Sequence, residues 1–183
     1  MVGGMWYNEA MAIYFYGCVT MDGYLADQDH GLGWLDQLAA GMDEADSSYP
    51  AFYEQMNVTI MGKKTFDYIA QLPGAEDFYA QTTNYVFTHA ERLPIKGYRP
   101  VQGSVVELVK SLPTEQNVFV VGGTGLVADL LAADLFDHLI IQVAPVILGG
   151  GIPLFSQPAF TRYYQLDQVS QFGPFAELRF SRV

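Results

Sequence analysis

The sequence predicts an α/β fold with a mixed, mostly parallel β-sheet, helices on both faces and an antiparallel hairpin at the C-terminal end. Along most of the chain, β-branched and aromatic runs alternate with stretches whose apolar residues recur at helical spacing. His138 to Ala144 is almost continuously apolar, as in interior parallel strands that are covered on both faces. Tyr163 to Phe172 and Phe175 to Val183 resemble two strands joined at Gly173-Pro174. Alternating strands and helices followed by a hairpin indicate a three-layer arrangement with the sheet in the middle.

The elements before this hairpin follow from local patterns. In the first part we predict a strand from Ala12 to Thr20, a turn at Asp22-Gly23, a polar loop that becomes apolar near Trp34, and a short helix that Ser47 or Ser48 caps and that reaches Tyr53. The middle predicts a strand from Val58 to Met61, a helix from Lys64 to Ile69, a strand from Asn84 to Thr88, a helix from Glu107 to Leu112 that Pro113 ends, and the strand, turn and helix of Val118 to Leu131.

The length indicates one domain. A chain of 183 residues has room for a single domain with its own core, and the sequence contains no solenoid-type repeat or low-complexity linker. The strand pattern begins only near Ala12, so we expect residues 1–11 to be an N-terminal extension and residues 12–183 to form the domain.

Composition excludes several function classes. The net charge of −11 argues against a general nucleic-acid-binding protein, which needs a basic face. No apolar run approaches the roughly 20 residues of a membrane helix, and the first residues do not have the pattern of a signal peptide. The single cysteine, Cys18, cannot form an internal disulfide, so we expect a cytoplasmic protein. Cys18 lies in an apolar strand, which favours a core residue over a nucleophile.

The glycine turn after Val121 is the first candidate site. Gly123, Gly125 and Ala128 match the G-x-G-x-x-A form of the dinucleotide fingerprint. A Rossmann unit should open the domain and be followed by an acidic residue about 20 positions later. Here the unit lies two-thirds along the chain, and the next strand ends in Val143-Ala144-Pro145, so we reject that assignment. Free amides at a helix start still favour an anion, although a purely structural turn is the alternative.

Two further strand ends support the anion hypothesis. The stretch Thr59 to Phe66 has a glycine and two lysines after a strand, and Asn84 to Arg92 ends a strand with Thr88-His89. Five of the nine basic side chains lie between positions 63 and 99, where they could also form only a solvated patch. Because ligands of open α/β sheets collect beyond the carboxyl ends of the strands, the three ends could bind one phosphate-rich molecule.

At this point the sequence resembles the dihydrofolate reductase-like superfamily, in particular the branch of the RibD C-terminal reductase domain of riboflavin biosynthesis. The resemblance is carried by short motifs in family order from Ala12 onward: VTMDGYLAD (Val19 to Asp27), Trp34, MGKKTF (Met61 to Phe66), VFTH (Val86 to His89), VVGGTGLVADLL (Val120 to Leu131) and APVILGGGIPLF (Ala144 to Phe155).

The resemblance implies a dihydrofolate reductase-like fold, an NADPH cofactor and a homodimer. It assigns the cofactor to the residues Val19, Gly62, Lys63, Lys64, Thr65, Thr88, His89, Gly122, Gly123, Thr124, Gly125 and Leu126. The family usually has arginine where Lys63 stands; lysine keeps the charge but loses the bidentate fork. The aromatic terminal strands could also leave an apolar face that a second copy covers.

Candidates for the chemistry are fewer. Hydride transfer to a C=N group needs a proton, and Asp22 lies at the end of the first strand, where it could supply that proton or simply form a turn. Trp34 could cover the substrate or close the core. Folate reductases have an acidic residue before the glycine-basic strand, and Asp43, Glu44 and Asp46 are available, with Asp46 nearest the helix predicted beside the substrate. The scattered histidines predict no metal site.

Three functions stay open. The first is an NADPH-dependent reductase of a pteridine-, folate- or pyrimidine-like ring, although the proline-tryptophan element of folate-reducing members is missing. The second is the ribosylaminopyrimidine reductase of riboflavin biosynthesis, whose substrate phosphate would need an additional cationic site. The third is a nucleotide-binding homologue without turnover. Such a protein would bind NADPH but would not oxidise it in the presence of any acceptor.

Overall fold

The computed structural model describes residues 10–43, 47–156 and 160–183. Ten strands and five helices follow one another in these segments: β1 (Ile13–Thr20), β2 (Tyr24–Ala26), α1 (Gly33–Ala39), α2 (Tyr49–Tyr53), β3 (Val58–Gly62), α3 (Lys63–Ile69), β4 (Thr83–Phe87), β5 (Tyr98–Val101), α4 (Val105–Ser111), β6 (Val118–Gly122), α5 (Thr124–Ala132), β7 (His138–Ala144), β8 (Ile152–Pro153), β9 (Tyr164–Phe172) and β10 (Phe175–Arg182).

Eight strands form one sheet in the order β5-β4-β3-β6-β1-β7-β10-β9. The six strands from β5 to β7 are parallel. β10 runs antiparallel to β7 and pairs with β9 in the terminal hairpin. The predicted fold class, a mostly parallel mixed sheet with an antiparallel C-terminal hairpin, is therefore confirmed.

Helices cover both faces of the sheet because neighbouring strand residues point to opposite sides. On one face, Phe15 belongs to a buried cluster with residues of α4 and α5 such as Val109 and Leu130. On the other face, Tyr16 belongs to a second cluster with Phe52 of α2 and Phe66 of α3. The strongly apolar interior strands thus have cover on each side, as their composition requires.

Several elements differ from the sequence prediction. The edge strand β5 contains Pro100, which lacks the ladder donor and is tolerated at an edge, and α1 forms where we predicted a loop. Strands β2 and β8 form an additional two-stranded sheet. Met11, assigned above to the N-terminal extension, packs against the core, whereas residues 1–9 lie outside the described residues. Within the described ranges, no helix is long and apolar enough to cross a membrane.

Candidate active site

The candidate site lies where the strand order reverses. The chain runs from β1 to β3, β4 and β5, and then returns to place β6 between β3 and β1. Because these strands are parallel, their carboxyl ends share one edge of the sheet. Ligands of open α/β sheets bind at such a switch point. Two neighbouring cavities are found here.

The first, the glycine-turn cavity, has a volume of about 660 Å³. It brings together nine of the twelve residues that the sequence assigned to the cofactor: Gly62, Lys63, Lys64, Thr65, Gly122, Gly123, Thr124, Gly125 and Leu126. Its other walls include residues that sequence reasoning missed, among them His30, Tyr68 and Phe87. Of the three strand ends that were predicted to converge, those of β3 and β6 contribute most of these residues, whereas the β4 end contributes Phe87 but not Thr88 or His89.

The glycine turn requires glycine for a structural reason as well. Gly123 has a φ of +99°, and a Cβ there would lie 3.4 Å from the Cα and N atoms of Gly62. Two strand ends therefore approach each other backbone to backbone. By contrast, a Cβ on Gly125 would meet no atom within 4 Å. No described residue accepts a hydrogen bond from the amides of Thr124 and Gly125 at the start of α5, so both are available to an anion.

The two lysines differ in their partners. Lys63 forms an ion pair with Asp67 one turn later on α3. Lys64 Nζ lies 2.7 Å from His30 Nε2, and both residues line the glycine-turn cavity. Asp67 already compensates the charge of Lys63, whereas Lys64 faces an imidazole. Lys64 is therefore the better placed cation for an anionic ligand.

Three of the predicted cofactor residues do not line this cavity. Val19 is 5% exposed and belongs to the buried core. Thr88 and His89 follow β4, where the Thr88 amide donates to the Val101 carbonyl and Thr88 Oγ1 accepts from the Ala90 amide. These contacts shape the turn after β4 and leave both residues outside the glycine-turn cavity.

The second cavity, the aromatic cavity, has a volume of about 980 Å³ and lies on the α2 side of the sheet. Its walls include Tyr49, Phe119, Phe172 and Phe175. The polar groups on its floor come from β1 and β7, which contribute Tyr16 and Gln142. Flat aromatic walls around a few polar atoms are typical of small-molecule sites.

A buried hydrogen-bond network lies under this floor. Gln142 Nε2 donates to Tyr16 Oη at 2.8 Å and to Glu177 Oε2 at 3.0 Å. Glu177, which is 1% exposed, also accepts from Ser48 Oγ at 2.6 Å and from Arg179 Nε at 2.9 Å. Gln142 and Glu177 are direct partners across β7 and β10, so the sheet register sets their contact.

The network fixes protonation states. Burial acts to raise the pKa of Glu177, but the hydrogen bonds from Ser48, Gln142 and Arg179 outweigh it and lower the pKa below its ordinary value. Glu177 is therefore a carboxylate at neutral pH. Burial raises the pKa of Tyr16, and the nearby Glu177 charge acts in the same direction. Tyr16 is therefore a neutral phenol.

The two cavities share a wall formed by Cys18, Leu35 and Val121. Burial raises the pKa of the Cys18 thiol to about 12, so the thiol is protonated and unreactive at neutral pH. This agrees with the expectation that Cys18 is not a nucleophile, but the half-buried side chain lines both cavities and does not belong to either core cluster. Ligands in the two cavities would meet beside this small side chain.

The catalytic residues predicted from sequence fall elsewhere. Asp22 accepts from Thr20 Oγ1 at 2.6 Å, from the Leu148 amide at 3.3 Å and from the Gly149 amide at 2.8 Å. These hydrogen bonds, that from Thr20 first, lower its pKa. Asp22 tethers the loop after β7 and is absent from both cavity walls.

Trp34 lies on α1, and its buried Nε1 has no hydrogen-bond partner among the described residues. Asp46 and Glu44 lie outside the described residues, whereas Asp43 lines the aromatic cavity. The described residues contain no group of three His, Cys, Asp or Glu side chains that could hold a metal ion.

The polar floor is what sequence reasoning missed. Gln142 interrupts an otherwise apolar buried strand, and Glu177 lies between Ala176 and Leu178 in a strand with buried positions. A buried polar side chain in such a strand needs a hydrogen-bond partner. That pattern could have identified both residues, although only the sheet order shows that they pair.

Comparison with known proteins gives a consistent family. Residues 13–176 match the model of the RibD C-terminal domain. The uncharacterised protein YwjB of Bacillus subtilis (strain 168) is 31% identical over 170 residues, which cover 91% of this chain and 95% of YwjB.

Solved structures agree on the architecture. A putative riboflavin biosynthesis protein from Shewanella sp. PV-4 matches with a TM-score of 0.81 and 21% identity, covering 94% of this chain and 99% of that one. Dihydrofolate reductase from Enterococcus faecalis, complexed with NADP(H) and RAB-propyl, matches with a TM-score of 0.60 and 13% identity, covering 93% of this chain and 96% of that one. At these identities the likeness concerns the fold.

Proposed function

The chain belongs to the RibD C-terminal domain family of the dihydrofolate reductase-like superfamily, and on this premise we propose that it is an NADPH-dependent reductase of a pteridine-, folate- or pyrimidine-like ring. One observation carries the proposal. A cavity with free backbone amides and cations adjoins an aromatic cavity, and the two share a wall at Cys18. A reductase needs this arrangement, because a cofactor and an acceptor must meet at one point.

The glycine-turn cavity fits a nicotinamide dinucleotide. The amides of Thr124 and Gly125 would hold the pyrophosphate, and Lys64 and Thr65 would offer a charge and a hydroxyl to the phosphates of the adenosine half, including the 2′-phosphate that NADH lacks. Bound NADPH would supply the hydride. The apolar residues of the shared wall would keep water from the place where the two ligands meet.

The acceptor also needs a proton. Asp22, the residue proposed from sequence, is held by three hydrogen bonds and is not on either cavity wall. Asp43, from the acidic group of positions 43–46, lines the aromatic cavity. We assign the loop-tethering role to Asp22 and proton supply, through water, to Asp43.

Riboflavin biosynthesis gives a second candidate. The Shewanella protein is named a putative riboflavin biosynthesis protein. The corresponding activity would be 5-amino-6-(5-phosphoribosylamino)uracil reduction. It differs from the main proposal in requiring a phosphate-binding group beside the acceptor.

Titration with NADPH and with NADH tests the proposal that the cofactor is NADPH. We expect NADPH to bind more tightly and its oxidation to require an acceptor from the pteridine or pyrimidine classes. Tight NADPH binding without oxidation by any acceptor in a broad panel would instead support the nucleotide-binding homologue without turnover.

We also infer a homodimer. β9 is an edge strand, and its residues Leu166 and Val169 are 52% and 62% exposed. Although β9 also carries polar residues, exposed apolar side chains on an unpaired strand edge favour contact with another chain. A second copy is the default partner for such a surface.

A further inference from the structure

The amide of Gln142 has one possible orientation. Its Nε2 has two hydrogens, and these go to Tyr16 Oη and Glu177 Oε2. The reversed amide would bring its oxygen to within about 3.0 Å of the Glu177 carboxylate, oxygen against oxygen. Arg179 and Ser48 hold that carboxylate in place, so the orientation is set by charge.

The Oε1 atom of Gln142 is left as an acceptor. Both hydrogen bonds of this side chain to described residues use Nε2, and Gln142 lines the aromatic cavity. The Tyr16 hydroxyl accepts from Gln142, and its single proton is directed to Glu177 Oε2 or Ser48 Oγ, at 3.2 and 3.0 Å. The floor of the cavity therefore offers a ligand a fixed acceptor, with the neighbouring donors already committed.

The charge around the cavity has one sign. Asp36, Asp43 and Asp77 line it, and none of its described lining residues is Lys, Arg or His. Residues 44–46 and 157–159, which lie outside the described ranges, contain no Lys, Arg or His. A phosphate placed here would meet carboxylates without a compensating charge.

We propose that the aromatic cavity selects an unphosphorylated, flat nitrogen heterocycle whose ring N–H or amino group donates to Gln142 Oε1, and that Glu177 is the positioning residue for that acceptor. The proposal rests on the reductase function above and narrows its substrate class. A site with a buried acceptor rejects ligands without the matching donor, because the acceptor would stay unpaired. The same surroundings disfavour a phosphoribosyl substrate.

Pterin binding tests the acceptor. Pterin is fluorescent and has both an amino group and a ring N–H, so its affinity can be titrated directly with wild type, Gln142→Met and Glu177→Gln. Gln142→Met keeps the length of the side chain and removes the acceptor. Gln165→Met, on the exposed part of β9, is the matched control. We expect Gln142→Met to bind pterin about ten- to hundredfold more weakly, with the control at wild-type affinity.

Glu177→Gln tests the positioning role. It retains the shape of residue 177 but removes the charge that orients Gln142, so pterin affinity should fall while NADPH affinity stays at the wild-type value. Circular dichroism checks that each variant is folded. If Gln142→Met does not fold, Glu177→Gln decides the question through the same split between pterin and NADPH affinity. Unchanged pterin affinity in the folded variants would overturn the proposal.

A second pair of ligands tests the charge argument. Neopterin and neopterin phosphate differ only in the phosphate. We expect neopterin phosphate to bind wild type at least about tenfold more weakly than neopterin, and we expect this difference in affinity to be smaller at high salt. Equal or tighter binding of the phosphate form, or no binding of any pterin, would overturn the substrate class. NADPH oxidation separates the two proposals. If pterin binding depends on Gln142 but NADPH is not oxidised, only the reductase function is contradicted. If NADPH is oxidised by an acceptor and Gln142→Met does not change that rate, only this inference is contradicted.

Discussion

Replacing Gly125 by aspartate should stabilise the free protein and weaken cofactor binding. Gly125 is the second residue of α5, and its Cβ direction is open for 4 Å. An aspartate there removes the conformational cost of glycine and adds a negative charge in the first helical turn. Together these changes should raise the free energy of unfolding by about 0.5–1 kcal/mol.

The same carboxylate would face the cofactor phosphates. At about 5 Å and an effective dielectric constant of about 20, each pair of unit charges costs about 3 kcal/mol, or roughly two-hundredfold in affinity. Gly125→Asn has nearly the same size without the charge, so it isolates the steric contribution. Gly123 is unsuitable for this test, because its φ of +99° and the adjacent Gly62 backbone would make a substitution destabilising in itself.

NADPH fluorescence titration at low and high salt, with thermal melts by circular dichroism, measures both effects. We expect Gly125→Asp to melt at or above the wild-type temperature and to bind NADPH roughly two hundred times more weakly, with a smaller loss at high salt. A folded Gly125→Asp protein with wild-type NADPH affinity would refute the placement of the phosphates at this turn.

Three other predictions concern residues whose partners the structure defines, and a fourth concerns the oligomeric state. Lys64→Ala should lower NADPH affinity about tenfold and reduce the preference for NADPH over NADH. Because Lys63 is already paired with Asp67, Lys63→Ala should have a smaller effect on NADPH affinity in the same calorimetric titration. Equal effects of the two substitutions would contradict the assignment of the phosphate contact to Lys64. Asp22→Asn should lower the melting temperature because the carboxylate accepts from Leu148 and Gly149, and a turnover loss at unchanged melting temperature would instead restore a proton-handling role. Burial lowers the pKa of His138 from its ordinary 6.5, although Asp137 and Asp167 act to raise it, so the folded state favours the neutral ring. The stability gained from the neutral His138 ring is therefore present above pH 6.5 and is lost as the pH falls below 6.5. His138→Phe keeps the stacking on Tyr14, so its free energy of unfolding, measured in denaturant titrations, should fall less than that of wild type over this pH range. An identical pH profile for the two proteins would contradict this account. Light scattering at micromolar concentration should show a dimer, and a monomer would remove the interface inferred at β9.

The sequence was sufficient for features that depend on local pattern. The apolar run of β7 and the hairpin at Gly173-Pro174 predicted the mixed sheet, and the glycine turn at Gly123 predicted the first cavity. The edge strand β5 was missed because Pro100 disfavours a strand unless the strand lies at an edge, and edge position is a property of the whole sheet.

Side-chain partners were harder to predict than elements. Gln142 and Glu177 are 35 residues apart, and their pairing depends on the register of β7 and β10. Asp22 shows a related difficulty, since its position at a strand end suggested chemistry while its contacts lie in a loop more than 120 residues later. Long-range pairing of this kind follows from topology, which a local pattern does not specify.

The most direct test of the reductase account is deuterium transfer. NADPH deuterated at the transferring position of the nicotinamide is incubated with the protein and a panel of unphosphorylated dihydropterins and related pyrimidines, and the products are examined by mass spectrometry. The account predicts a reduced ring that carries one deuterium, formed more slowly by Gly125→Asp and by Gln142→Met. Absence of a deuterated product with every acceptor, under conditions in which the protein binds NADPH, would contradict it.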